Sequence, residues 1–251
     1  MTGASAARLT RDGVLARLTL ERPEARNALS RAMADALEDA LARLADADEV
    51  RVVVVAGRGR SFCAGADISE MPILSPEEAE TLASRWQRIM DGFAALPQVT
   101  IAAVQGHALG GGLILAIAQD LRVAEASARF GLPEVTLGFN PGYGIARLLD
   151  VAGGAHARDL MLTARPVDAA EAHRMGLVTR VVPDGTLDAE AETLAHEVAR
   201  SPRGGLAATK AITAAIRAGR PGTEPRAYGA LRAAPDARAR IAAFLDRRRS
   251  S

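Results

Sequence analysis

The stretch Val99 to Asp120, VTIAAVQGHALGGGLILAIAQD, constrains the fold of this chain more than any other. Ile101 to Gln105 is a short, mostly apolar run that suits a buried strand, Gly110, Gly111 and Gly112 follow as a turn, and Leu113 to Asp120 reads as an apolar helix. A strand that feeds a glycine turn and then a helix brings unpaired N–H groups and the positive end of a helix to one point, where backbone can approach a ligand closely. Such a place suits an oxyanion. A glycine run by itself also lets a buried helix pack tightly against a strand, so this stretch alone leaves the chemistry open.

The flanks predict a repeated α/β pattern. Val14 to Leu20 alternates apolar and polar residues as a half-exposed strand does, and Pro23 ends it. Ser30 is placed to cap a helix from Arg31 to Ala45, whose apolar face is Ala34, Leu37, Leu41 and Leu44. Arg51 to Ala56 is a β-branched run suited to burial on both faces of a sheet, and it delivers the loop GRGRSFCAGADI. The same outline recurs as Thr100 to Val104, the 113–120 helix and Leu121 to Ala124. Between the two units, the polar segment Pro72 to Glu80 leads into a helix from Glu77 to Leu96 that Pro97 stops. A helix around Ala155 to Thr163 and a last strand from Leu177 to Val182 are expected next. From Leu187 onward the pattern is helical and alanine-rich, broken at Ser201-Pro202, Gly219 to Pro225 and Pro235. This divides the chain into an α/β body, residues 1–190, and a helical region, 191–251, expected to pack on the body or on a neighbouring subunit.

Composition narrows the partners. With 31 basic and 30 acidic residues the net charge is +1, which gives no field favouring nucleic acid or an anionic membrane. Cys63 is the only cysteine, so no internal disulfide or cysteine metal cluster is available, and a reducing compartment fits. His107, His156, His173 and His196 lack ligand spacing, and no metal is expected. Lys210 is the only lysine, so any Schiff-base chemistry would fall there. No apolar run is long enough to span a bilayer, and a cytoplasmic protein is the expectation.

Read together, SFCAGADI (61–68), GHALGGGLILA (106–116) and FGLPEVTLGFNPG (130–142) resemble the crotonase, or enoyl-CoA hydratase/isomerase, superfamily. RPEARNAL (22–29), LTARPVDAAEAHRMGLVTRVVP (162–183) and AFLDRRR (243–249) extend the resemblance over almost the whole chain. It implies an α/β fold of ββα units wound into a spiral with a helical C-terminal region, and homotrimers or dimers of trimers. It also implies an acyl-CoA or acyl-carrier thioester as substrate, with no other cofactor. By resemblance the backbone N–H groups of Ala66 and Gly111 hold the thioester oxygen, and Glu134 moves the substrate proton. Ala25, Arg26 and Leu29 would line the pantetheine and adenine cleft, with Ala64 and Ile68 beside it and Gly110 at the turn. Pro141, Gly142 and Tyr143 would contact substrate from the following loop, and Phe244 and Arg247 would reach the nucleotide, often across a subunit boundary. Glu134 lies among apolar neighbours, so its pKa should be raised, which suits a group that takes and returns a proton.

The chain departs from the family at one decisive position. Family hydratases carry a second glutamate two residues after the third glycine, and here that residue is Ile114; no acidic residue lies between Gly106 and Gln119. Loss of a general acid or base costs about 10²- to 10⁴-fold, or roughly 3 to 5 kcal/mol. Double-bond isomerisation by a single glutamate is therefore the first expectation, ahead of hydration through a non-standard second group and of thioester decarboxylation. A non-catalytic binding protein of the same fold is the alternative of another class. His107, Asn140 and Tyr143 are further candidate polar groups, although the loop PGYGIARL is one residue shorter than the family pattern. Trp86 and Met90 either wall an acyl pocket or are plain core.

Overall fold

A computed structural model describes residues 5–70 and 74–249, with side chains through Leu245; Pro72, in the expected polar approach to the second helix, lies outside them. In chain order the elements are β1 (Ala7–Asp12), β2 (Leu15–Leu20), α1 (Arg31–Ala45), β3 (Val52–Gly57), α2 (Pro76–Ala95), β4 (Val99–Val104), β5 (His107–Leu109), α3 (Gly111–Ala118), β6 (Leu121–Glu125), β7 (Arg129–Gly131), α4 (Ile145–Thr163), β8 (Val167–Asp168), α5 (Ala169–Arg174), β9 (Arg180–Val182), α6 (Leu187–Ala199), α7 (Arg203–Arg217), α8 (Glu224–Ala233) and α9 (Pro235–Arg249). The main sheet runs β1-β2-β3-β4-β6-β9, and a small sheet runs β5-β7-β8. Only β1 is antiparallel in the main sheet; β2, β3, β4, β6 and β9 are parallel, with Val52 opposite Val99 and Ile101 opposite Leu121.

Every residue of β3 and β4 is buried because helices cover both faces of the sheet. Val53 and Val55 join the core of α1, α2 and α3, including Leu37, Phe93 and Leu113. Val52, Val54 and Ala56 face the other way, onto Leu187, Ala191, Leu194 and Ala195 of α6. The boundary expected near residue 190 thus runs through α6, which packs on the sheet as part of the body; the more exposed helices begin after Pro202. The expected cap forms: Ser30 Oγ accepts from the Met33 N–H at 3.1 Å.

Several elements differ from expectation, and the short β5, β7, β8 and α5 have no counterpart in the sequence reading. β1 has no counterpart in the sequence reading, because only Ala7 of its residues is buried and an edge strand of that kind carries no apolar alternation. The helix expected around 155–163 begins earlier, at Ile145, and bends at Gly153, whose φ is +71°. The last strand is shorter than expected, Arg180 to Val182. Among the described residues no helix is long and apolar enough to cross a membrane.

Candidate active site

β3, β4 and β6 are parallel neighbours, so the loops leaving their carboxyl ends emerge on one edge of the sheet. The loop after β3 zips against the chain after β4: the Phe62 N–H donates to Gln105 O at 2.8 Å, the Cys63 N–H to His107 O at 3.0 Å, and the Leu109 N–H to Cys63 O at 3.1 Å. On its other side the loop pairs with the approach to α1. Leu29 donates to Gly65 O at 2.8 Å and accepts from the Asp67 N–H at 3.1 Å. In such a parallel bridge the residue between the two partners turns its own N–H away, and here that residue is Ala66.

Glycines allow the loops to meet. Gly65 has φ +98°, and a Cβ there would stand 2.8 Å from Leu109 O and 3.7 Å from Gly110 Cα. The Gly65–Ala66 peptide is therefore seated against the turn that opens α3. Gly110 has φ +52° and donates its N–H to Gly131 O at 2.8 Å. Gly111 is the first residue of α3, so its N–H is one of the donors a helix start leaves without an intrahelical partner.

Glu134 opens a 3₁₀ turn, Glu134 to Leu137, just beyond β7. A Cβ on Gly110 would lie 2.8 Å from Glu134 Oε1, which puts the carboxylate directly over the glycine turn. Glu134 Oε2 is buried and has no partner among the described residues. Burial raises the pKa of this carboxyl above the usual range, as the apolar flanks predicted.

The space beside Glu134 is closed by the 140–144 loop. A Cβ on Gly111 would collide with the Tyr143 hydroxyl and lie 2.8 Å from Leu29 Cδ1, and a Cβ on Gly144 would collide with Ile114 Cγ2. Ile114 is thus packed under the loop rather than facing open space. α2 supplies the platform: Trp86 stacks on Tyr143 with centroids 6.4 Å apart, Gln87 Oε1 accepts from the Gly144 N–H at 3.0 Å, and Ala83 backs Gly142. Burial raises the Tyr143 pKa further above neutrality, so its hydroxyl stays protonated. Met90 is plain core, fully buried.

The remaining expected residues divide. Leu29 is buried beneath Gly111, Ala25 and Ala64 are half-buried, and Pro141 is buried. Arg26 is exposed, with φ +50°, on the rim of a cleft of about 630 Å³ that Arg60, Ser61 and His107 also line. Ile68 is 73% exposed. Phe244 lies on α9, which packs chiefly against α8, and the Arg247 side chain is outside the described residues. Lys210 sits elsewhere, its Nζ 2.8 Å from Asp120 and donating to Gln98 O at 2.7 Å.

Two residues that hold the site escaped the sequence reading. Asn27 is fully buried, donating to Arg58 O at 3.0 Å and Ser61 O at 2.8 Å while accepting from the Arg22 N–H at 2.9 Å, so it staples the two loops together. Arg22 also pairs with Asp67 at 2.8 Å, fixing the residue after Ala66. The Ser69 hydroxyl first, and Arg22 with it, hold the Asp67 carboxyl below the usual range. The only available signal was a polar asparagine set directly before the apolar pair Ala28-Leu29.

Residues 10–230 match the family model described as enoyl-CoA hydratase/isomerase. The crotonyl-CoA hydratase of Syntrophomonas wolfei is 35% identical over 97% of this chain and 96% of its own, and the short-chain-enoyl-CoA hydratase of Clostridium acetobutylicum is 38% identical over 76% and 74%. Among solved structures, Pseudomonas aeruginosa DspI superposes with a TM-score of 0.92 at 31% identity, covering 98% of this chain and 96% of that one. With its spiral of parallel strands, its three converging loops and these relatives, the chain belongs to the enoyl-CoA hydratase/isomerase family and is a crotonase-superfamily enzyme.

Proposed function

We propose that this enzyme isomerises the double bond of an enoyl thioester, presented by coenzyme A or a carrier protein, with Glu134 as its single acid–base group. The observation that carries the reading is a half-buried carboxylate over the glycine turn, its Oε2 buried and without a partner among the described residues, beside an apolar Ile114 where hydratases of the family place a second glutamate. The N–H groups of Ala66 and Gly111 donate to the thioester oxygen. Glu134 removes a proton from C2 of a 3-enoyl thioester, the electron pair delocalises onto the thioester oxygen as a dienolate, and the same carboxyl returns the proton at C4, leaving the 2-enoyl product. Each backbone donor aimed at the developing charge is worth roughly 3 to 4 kcal/mol. No cofactor beyond the thioester is required.

Arg26 and Arg60 beside the large cleft suit the phosphates of coenzyme A, with Ala25, Leu29, Ala64 and Ile68 along the path inward. Gly110, Pro141, Gly142 and Tyr143 border the acyl group. The exposed apolar side chains of the tail, Ile216, Tyr228 and Leu245, suit packing against a neighbouring subunit in a trimer or dimer of trimers, which would bring Phe244 and Arg247 to that neighbour's nucleotide.

A second reading, hydration, is favoured by the relatives' names and by the protonated Tyr143 hydroxyl at Gly111, a non-standard second group. Incubating the enzyme separately with 3-enoyl-CoA and 2-enoyl-CoA, and following bond migration and water uptake by mass, tests both. Migration without uptake, lost about 10²- to 10⁴-fold in Glu134→Gln, is the expected result. Hydration at ordinary enzymatic rates that disappears in Tyr143→Phe would replace isomerisation with the second reading, and unchanged turnover in Glu134→Gln would remove this carboxyl from the mechanism.

A further inference from the structure

A second, smaller cavity of about 140 Å³ lies away from the glycine turn, where the end of α3, the start of β6, α4 and α7 meet. Four cations line it, Arg122, Arg147, Lys210 and Arg217, against two carboxylates, Asp120 and Asp150. Most of this charge has a nearby partner. Lys210 takes Asp120 at 2.8 Å, and Arg147 and Arg217 share Asp91 at 3.0 and 3.9 Å. Arg122 is different. It is 92% buried, its Nη1 donates to Gln119 O at 2.7 Å, its Nε has no hydrogen-bond partner, and it makes no ion pair among the described residues. Burial above all, with Arg147 acting in the same direction against Asp120, lowers its pKa to about 10, so it remains charged at neutral pH.

A buried guanidinium that makes no ion pair is expensive; Asp120 offsets part of the cost through space and Arg147 adds to it. We propose that this cavity is a binding site for one small inorganic oxyanion of the sulfate or phosphate kind, held by Arg122 and Arg147 from the body and by Lys210 and Arg217 from α7. Guanidinium groups suit this ligand because their forked N–H donors match oxyanion geometry. The bound anion would join α7 to α3, β6 and α4, which makes docking of the helical tail dependent on anion concentration. The site is separate from the thioester chemistry, and its test reads no turnover.

The test is thermal unfolding of the whole chain in a sulfate titration at fixed ionic strength, balanced with chloride. Wild type should show a saturable rise in Tm of roughly 5 °C. Arg122→Gln should lose the saturable part and keep only the linear rise that surface exclusion of sulfate produces. Arg217→Gln, at the more open rim with its side chain 23% exposed, should fold normally and shift half-saturation upward roughly tenfold. Crystals grown with selenate should show an anomalous peak within the cavity. A purely linear sulfate response in wild type, the same saturable response in both variants, or a selenate-soaked cavity without a peak would overturn the proposal.

Discussion

Gly110→Ala tests whether the Glu134 carboxylate must rest on the glycine turn. Gly110 has φ +52° and ψ −128°, a conformation that an L side chain occupies only under strain, costing about 1 to 3 kcal/mol. For a chain of this size that corresponds to a fall in Tm of roughly 2 to 12 °C. The new Cβ would also stand 2.8 Å from Glu134 Oε1, where ordinary contact begins at 3.4 Å, so the carboxylate or the turn must give way by about 0.6 Å (3.4 − 2.8). Displacements of this order at a reacting group cost about 10²-fold in rate. Gly13→Ala is the control: φ is +54°, nothing lies within 4 Å of the added Cβ, and the residue sits in the β1–β2 turn. Both variants should lose stability, but only Gly110→Ala should lose kcat on 3-enoyl-CoA, with KM changed much less. If the two variants melt alike and turn over alike, the carboxylate over Gly110 is not the reacting group.

Other outcomes follow from single groups. Because burial raises the Glu134 pKa, turnover should rise with pH through a midpoint above that of a free glutamate. The same shift acts on folding: the stabilisation from protonated Glu134 is complete below the unfolded pKa and is lost as pH rises through the higher folded pKa. The Tm of Glu134→Gln should therefore gain on wild type between acid and neutral pH, and a constant difference would refute the shift. Ser30→Ala removes the acceptor for the Met33 N–H and should cost about 1 kcal/mol, read as a shift in the urea midpoint at unchanged slope. Burial pushes the Cys63 thiol up to about 12, so iodoacetamide should leave the folded protein unmodified at pH 8 and label it fully in denaturant; rapid labelling of native protein would contradict that burial.

Local rules fixed much of this molecule in advance. The β-branched run at 52–55 could only be a strand covered on both faces, Ser30 could cap only the helix that follows it, and the three glycines at 110–112 required a turn into a helix. These are nearest-neighbour preferences of backbone and side chain, legible without any partner. The raised pKa of Glu134 was legible for a similar reason, since its flanking residues already promised desolvation. The tertiary structure decided what depends on chain segments far apart in sequence. Asn27 staples loops 31 and 34 residues away, Tyr143 reaches Gly111 only because α2 carries Trp86 beneath it, and α6 joins the body because the second face of the sheet needs cover. Arg122 lies buried without an ion pair in the cavity that α7 shares with α3, β6 and α4, an outcome set by burial and by distances between elements, which no local pattern of residue types encodes.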